Sequence, residues 1–298
     1  MKVFRNLLIA ILNRVSCFFS DSLFLRIQFR LRMGYRLNIE SPKTLSEKIQ
    51  WLKLYDRNIE YTKLVDKYEV KLIVAQKIGK KHVIPTLMVW DKVEQINFDC
   101  LPMQFVLKTT HGGGNNGVII CKDKDKIDVK NTIERLKKAL RQNIFNDFRE
   151  WPYKNIQKRV IAEKFMEQDN GVSLIDYKFF CFNGIPKYVY VSQNNTSSKR
   201  QLSCFLTMNW KLAPFKKRDD EFASQVPTRP SSFESMCQIA KKLCEGYPFV
   251  RVDLYEINNQ VFFSELTFYP SSGMHPIEPL EWDLKLGDIL RLPEKRKQ

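Results

Sequence analysis

Apolar residues recur at helical spacing near the start of the chain. Phe4, Leu7, Leu8, Ile11, Leu12 and Val15, with Arg5, Asn6, Asn13 and Arg14 elsewhere around the wheel, predict an amphipathic helix over 3–16. Thr44-Leu-Ser-Glu47 has the form of a capping box, and Leu45, Ile49, Leu52 and Tyr55 follow at helical spacing, so a helix begins near residue 45. Another helical run covers about 61–78, and Gly79 ends it ahead of a short strand at 83–90. The period then changes. Segments 104–109 and 117–121 read as strands around a glycine-rich loop, and Val129, Ile133, Leu136, Leu140 and Ile144 mark a helix over about 128–148. Strand-like runs follow at 159–165, 176–182, 187–192 and 202–207. A helix opening at Ser231, with Glu234 at the capping-box position, runs to Glu245, and strands at 249–256 and 260–268 close the body.

This order implies an α+β fold with a mostly helical N-terminal region. Three segments are expected: 1–100, helical and leading into the first lobe; 101–155, an α+β lobe with the glycine loop; and 156–298, a strand-rich C-terminal lobe. At 298 residues and 44% apolar, the chain can bury a large core. Its 49 Lys and Arg against 33 Asp and Glu draw in anions such as nucleotides, acidic polymers or anionic lipid. Seven Cys without a C-x-x-C pair read as reduced, packed thiols. With three His and no H-E-x-x-H, zinc chemistry is not expected, and a metal here would be a hard cation on carboxylates. The apolar run from Leu7 to Leu12 is too short to span a bilayer, and no small-x-small cleavage site follows it, so the first helix is expected to pack against the body, the alternative being peripheral contact with an anionic membrane surface.

Two stretches carry candidate chemistry. His111-Gly-Gly-Gly-Asn-Asn-Gly117 contains a literal G-x-G-x-x-G, but the β-branched Val118-Ile-Ile after it predicts a strand where a dinucleotide site needs a helix. A glycine loop between antiparallel strands is a flap whose backbone N–H groups can close over a polyphosphate, and Lys108 enters it with an ammonium for phosphate oxygens. Protein kinases also use a glycine flap, but H-R-D and D-F-G are missing. The second stretch is Arg251-Val-Asp253-Leu-Tyr255 followed by Phe263-Ser-Glu265-Leu-Thr267. A two-residue Asn258-Asn259 turn would set Asp253 opposite Ser264. A three-residue loop through Gln260, the reading adopted here, sets Asp253 opposite Glu265 and Arg251 opposite Thr267. Facing carboxylates repel unless a cation lies by them, and Mg²⁺ on Asp253, Glu265, Thr267 and nucleotide phosphates meets that need. The structural alternative is a salt-bridge ladder with Arg251. Between the two stretches, the strand at 160–166 turns polar at Glu163, and Asp176 and Lys178 share a strand face, while Phe215-Lys-Lys-Arg218 is read as a solvated rim, with a phosphate-tracking patch or contacts to an acidic substrate as the alternatives.

Together these pieces resemble the TupA-like ATP-grasp family, named for teichuronopeptide biosynthesis. The resemblance rests on Ser41-Pro-Lys-Thr-Leu-Ser-Glu-Lys-Ile-Gln-Trp-Leu-Lys-Leu-Tyr55, Asp66-Lys-Tyr68, Gln104-Phe-Val-Leu-Lys108 with the His111 loop, Asp176-Tyr-Lys178, Arg251-Val-Asp253, and Glu265-Leu-Thr-Phe-Tyr-Pro270 with Ser272-Gly273. It implies an ATP-grasp fold holding ATP and Mg²⁺ between two lobes. Lys108 then resembles the phosphate lysine. His111, Gly112, Gly113, Gly114, Asn115 and Gly117 form the flap, Glu163, Lys164 and Met166 the adenine hinge, and Asp176 joins the nucleotide site. Lys178 and Arg251 resemble the catalytic cations, and Asp253, Glu265 and Thr267 the metal ligands, with Thr267 standing where many relatives carry Asn. The implied reaction activates a carboxylate as an acyl phosphate for attack by an amine. The expected substrate is a uronic acid or anionic polysaccharide precursor of a cell-surface polymer. The alternatives are a glycosyltransferase-type or kinase-type enzyme of the same pathway, or a basic non-catalytic module. No nucleic-acid partner is expected. The setting implied is cytoplasmic, at or away from the inner face of the cell membrane.

Overall fold

The computed structural model describes residues 2–113, 117–169, 174–194, 201–223 and 225–295. Helices α1 (Lys2–Arg14) and α2 (Asp21–Met33) lead into α3 (Leu45–Tyr55). The predicted capping box starts α3: Thr44 Oγ1 accepts the Glu47 N–H, and the Glu47 carboxylate accepts the Thr44 N–H at 3.1 Å. The helical run at 61–78 is two helices, α4 (Glu60–Val65) and α5 (Glu69–Ile78). Asp66 breaks the run by taking an extended backbone, and its carboxylate accepts the N–H groups of Tyr68 and Glu69, which starts the chain helically again. Residues 128–148 divide likewise into α6 (Val129–Arg141) and α7 (Ile144–Phe148), where Asn143 accepts the Asn146 N–H.

Two antiparallel sheets carry the chain. The first, in order β1-β4-β2-β3, joins β1 (Thr86–Trp90), β2 (Phe105–Thr109), β3 (Val118–Cys121) and β4 (Val160–Lys164). It draws strands from all three sequence segments, so it straddles the boundaries at 100/101 and 155/156. Leu136 of α6 packs in its core with Phe105, Leu107, Ile119, Val160 and Ala162. The second sheet, in order β10-β9-β5-β6-β7, joins β5 (Asp176–Phe182), β6 (Ile185–Asn194), β7 (Gln201–Thr207), β9 (Phe249–Ile257) and β10 (Gln260–Thr267). A two-stranded ribbon pairs β8 (Lys216–Lys217) with β11 (Ile277–Glu278).

Helix α8 (Phe233–Cys244) packs on the second sheet through Phe233, Met236, Ala240 and Leu243, all buried. Its predicted capping box does not form. Ser231 and Ser232 donate their hydroxyls to Glu256 across the loop, and Glu234 pairs with Arg229 instead. Helix α9 (Leu280–Ile289) lies against α3, where a side chain at Gly287 would meet the Lys43 carbonyl oxygen at 2.0 Å. Helix α1 packs only in part: Leu12 of the predicted stripe is buried, together with Ile9 from outside it, whereas Phe4, Leu7 and Ile11 of the stripe are exposed. Of the seven free cysteines only Cys17 and Cys100 are exposed, in line with packed thiols.

Candidate active site

The β9–β10 hairpin builds the acidic centre by a route the sequence reading did not foresee. Its turn has two residues, Asn258 and Asn259, both left-handed at φ 50 and 65, the conformation a type I′ turn demands and Asn tolerates. That turn alone would set Asp253 opposite Ser264. A bulge between Phe263 and Glu265 absorbs one residue, so Asp253 pairs with Glu265 and Arg251 with Thr267. The predicted pairings therefore stand, and the three-residue loop through Gln260 is corrected.

Arg251 joins the two carboxylates. Its Nε donates to Asp253 Oδ1 at 2.6 Å, and its Nη2 donates to Asp253 Oδ2, Glu265 Oε1 and Thr267 Oγ1 at 2.5, 3.0 and 3.0 Å. The salt-bridge ladder weighed against a metal site is thus present. Lys178, opposite Asp253 on β5, lies 3.5 Å from Asp253 and pairs with Asp176. Lys67 donates to Glu265 Oε2 at 3.0 Å and to the Gly112 carbonyl at 2.8 Å, tying the root of the glycine loop to the acidic strand.

These contacts set the charge states. Burial works against ionisation of Glu265, but Lys67 and Arg251 outweigh it and hold the carboxyl far below its usual range. Burial likewise opposes the charge on Arg251, and Asp253, Glu265 and Asp176 overcome it. Asp176 goes the other way: burial and then the charge of Asp253 push it up to about 6.

Lys217 is a fourth cation here, and the solvated rim read at 215–218 is corrected for it. On β8 its neighbours Lys216 and Arg218 point to Glu278, and strand alternation turns Lys217 inward over the Tyr190 ring, 3.6 Å from its centroid. Burial, then the nearby charge of Arg251, lowers its ammonium to about 8.

The other predicted residues fall around this centre. Lys108 and Lys71 both pair with the buried Glu163, Lys108 at 2.6 Å, and against the pull of burial they keep its carboxyl below the usual range. Lys164 is exposed, and its backbone N–H is already donated to the Pro85 carbonyl at 3.0 Å. Met166 packs on an apolar cluster of Ile84, Ile257 and Phe262 at the edge of the two sheets. His111 is 1% exposed, so it is placed as an anchor of the loop rather than at its surface. Burial, then Lys158, lowers its imidazole to about 4. Gly112 and Gly117 crowd Thr109, whose Oγ1 would lie 2.5 and 2.2 Å from a Cβ added to them, so both serve the packing of the loop root. Gly113 is in open space beside Ile144, while Gly114 and Asn115 lie outside the described residues.

Sequence reasoning missed Lys67 and Lys71, although Lys67 sits inside the quoted Asp66-Lys-Tyr68, and it preferred a solvated rim for the stretch that holds Lys217. It also missed the support behind Arg251. There the buried Lys53 donates to the carbonyls of Phe148 and Ser272 at 3.0 and 2.8 Å, and Ser272 donates its hydroxyl to the buried Glu150. These bonds brace a turn in which Ser271, Ser272 and Gly273 are consecutively left-handed, at φ 49, 58 and 61.

Oxygen donors and a buried carboxylate oxygen without a partner, Asp176 Oδ1, suit a hard divalent cation beside Asp253 and Glu265. Among the described residues no three His, Cys, Asp or Glu side chains cluster closely enough to cage a metal alone. An ion there would need phosphate and water to complete its shell. A literal Asp-x-Asp at Asp123 and Asp125 does not join this centre. Asp123 accepts the Asp125 N–H and pairs with Lys126 in an exposed turn.

A family model described as TupA-like ATPgrasp matches residues 47–291. The chain belongs to the TupA-like ATP-grasp family. Its expected α+β ATP-grasp fold is what the two sheets and their helices form. Solved structures similar to this family member include the D-alanine-D-alanine ligase from Helicobacter pylori, at 17% identity and TM-score 0.46, with 84% of this chain and 70% of that one covered. The Coxiella burnetii ligase gives 14% identity and TM-score 0.43, covering 82% and 64%. The Bacillus anthracis ligase complexed with ATP gives 17% and 0.41, covering 69% and 55%. The chain thus spans 55 to 70% of the length of these three structures. A search of curated proteins found no match.

Proposed function

We propose that this protein binds ATP with Mg²⁺ between its two sheets and activates a carboxylate by phosphoryl transfer, for amide formation in cell-surface polysaccharide biosynthesis. One observation carries the reading: Lys67, Lys178, Lys217 and Arg251 converge on the opposed Asp253 and Glu265, next to the root of the glycine loop. Four cations against Asp176, Asp253 and Glu265 leave the centre short of negative charge, which a triphosphate and an anionic acceptor supply.

In this reading Lys108 and Lys71, both paired with Glu163 in the free protein, turn to the phosphates. The apolar edge formed by Met166, Ile84, Ile257 and Phe262 receives the base, and the backbone at 165–166 reads it. Asp253, Glu265, Asp176 and Thr267 would hold Mg²⁺, which neutralises phosphate charge when bound. An acceptor carboxylate oxygen attacks the γ-phosphorus while the bond to the β–γ bridging oxygen breaks and ADP leaves. Arg251 and Lys178 steady the phosphoryl oxygens as charge shifts, and Lys217 holds the acceptor's negative charge. An amine then attacks the acyl carbon and phosphate departs with the bonding pair as the amine loses its proton. The acceptor class proposed is a uronic acid or anionic polysaccharide precursor. The cytoplasmic setting belongs to the same proposal.

Calorimetry with ATP, with and without Mg²⁺, and with UDP-glucose as comparator, tests the nucleotide. Mg²⁺-dependent ATP binding supports the ligase reading. UDP-glucose binding without ATP binding replaces it with sugar transfer.

A further inference from the structure

Helix α1 is apolar on two opposite sides, and only one of them is covered. Ile9 and Leu12 are buried, and Asn13 fixes that side by accepting from Gln28 at 3.2 Å and donating to Asp147 at 3.5 Å. On the outer side Val3, Phe4, Leu7 and Ile11 form one stripe at 84, 65, 55 and 48% exposure, and Phe18 in the turn just beyond is 84% exposed. A helix with a polar outer face would need no partner. Here a contiguous apolar strip including two phenylalanines faces outward.

The charges around the strip indicate its partner. Residues 1–20 contain Lys2, Arg5 and Arg14 and no Asp or Glu, in a chain of net charge +16. Arg14 is exposed at the end of the strip. A second copy meeting this face about a two-fold axis would bring the same cations together without an acidic counterpart, which disfavours self-association. An anionic lipid surface takes both features, since its headgroups meet the cations and its acyl boundary takes the side chains. At 13 residues α1 spans about 20 Å by its 1.5 Å rise, short of a bilayer core, and no helix among the described residues is long and apolar enough to cross one.

We infer that α1 lies flat on an anionic membrane surface, inserting Val3, Phe4, Leu7, Ile11 and Phe18, with the exposed Arg14 at the headgroups. The inference stands apart from the ATP and ligase reading, because it uses no residue of that site.

The test is sedimentation of the full chain with phosphatidylcholine vesicles, with and without phosphatidylglycerol, for the wild type, a Phe4→Ser/Leu7→Ser/Ile11→Ser variant and an Arg14→Gln variant. All substituted apolar side chains are exposed, so an unchanged melting temperature is expected and checks the fold. The wild type should pellet with the phosphatidylglycerol vesicles, less so as salt is added. The serine variant should lose at least about tenfold in partitioning and the Arg14→Gln variant about fivefold. A wild type that stays in the supernatant, or a serine variant that binds equally well, overturns the inference. So does sedimentation equilibrium showing a wild-type dimer that the serine variant abolishes, since a second copy would then cover the strip.

Discussion

Asp253 and Glu265 stand opposite each other because one residue, Ser264, is bulged out of β10, and the Arg251 guanidinium lies between their carboxylates. In the free state the counter-ions of this pair are all protein cations: Lys67, Lys178 and Arg251. A Glu265→Gln substitution keeps the shape and removes the charge that Lys67 and Arg251 share. We expect Mg²⁺-dependent ATP binding to weaken at least about tenfold, as loss of a charged ligand to a cation and phosphate site implies. Calorimetry of the variant checks this, and unchanged affinity would remove Glu265 from the nucleotide site.

Lys217 holds a half-buried positive charge, and among the described residues its ammonium makes no hydrogen bond or ion pair. Replacing it with Met, of similar length, relieves the desolvation cost and should raise stability by about 1–3 kcal/mol at neutral pH. A denaturant titration of Lys217→Met measures the gain. A loss of stability would mean that the ammonium is satisfied in the free protein and is not held in readiness for an anion.

Gly117 and Thr109 share one space, since a Cβ at Gly117 would lie 2.2 Å from Thr109 Oγ1. Gly117→Ala should therefore destabilise the protein by about 1–3 kcal/mol, the usual cost of overpacking. Adding Thr109→Ala to it should return a large part of that loss. The coupling read from the double-mutant cycle should be at least about 0.5 kcal/mol. Additive effects would show that the loop root relaxes instead of clashing.

His111 titrates near 4 in the fold because burial, aided by Lys158, disfavours its charge, against an ordinary value of 6.5. Between those pH values the unfolded chain binds more protons than the folded one, so stability falls as pH drops through that window. The slope from this residue is at most about 1.4 kcal/mol per pH unit. Melting temperatures of wild type and His111→Asn from pH 7 to pH 4 check it. The variant should lose less over the window, and parallel curves would show that His111 contributes no proton linkage.

The elements with strong local signals were readable in the sequence. Thr44 and Glu47 satisfy each other's backbone within four residues, and Lys108, the glycine loop and Val118 specify an antiparallel pair through turn chemistry and β-branching. The capping box expected at Ser231 and Glu234 failed because both serines found a distant acceptor, Glu256, which outcompeted the local one. The helices expected over 61–78 and 128–148 broke at Asp66 and Asn143. At each, a short polar side chain rebuilt a helix start, a choice that helical periodicity does not register.

The sequence by itself determined the family, the α+β class and the residue types at the acidic centre, because motif spacing and strand alternation are local properties of the chain. Only the tertiary structure decided how Asp253 reached Glu265, since a bulge depends on the packing of both strands. It also decided that Lys67, Lys71 and Lys217 join the site and that half of the α1 stripe faces outward. Those outcomes follow from which surface each segment meets, and that is fixed by contacts between residues far apart in the chain.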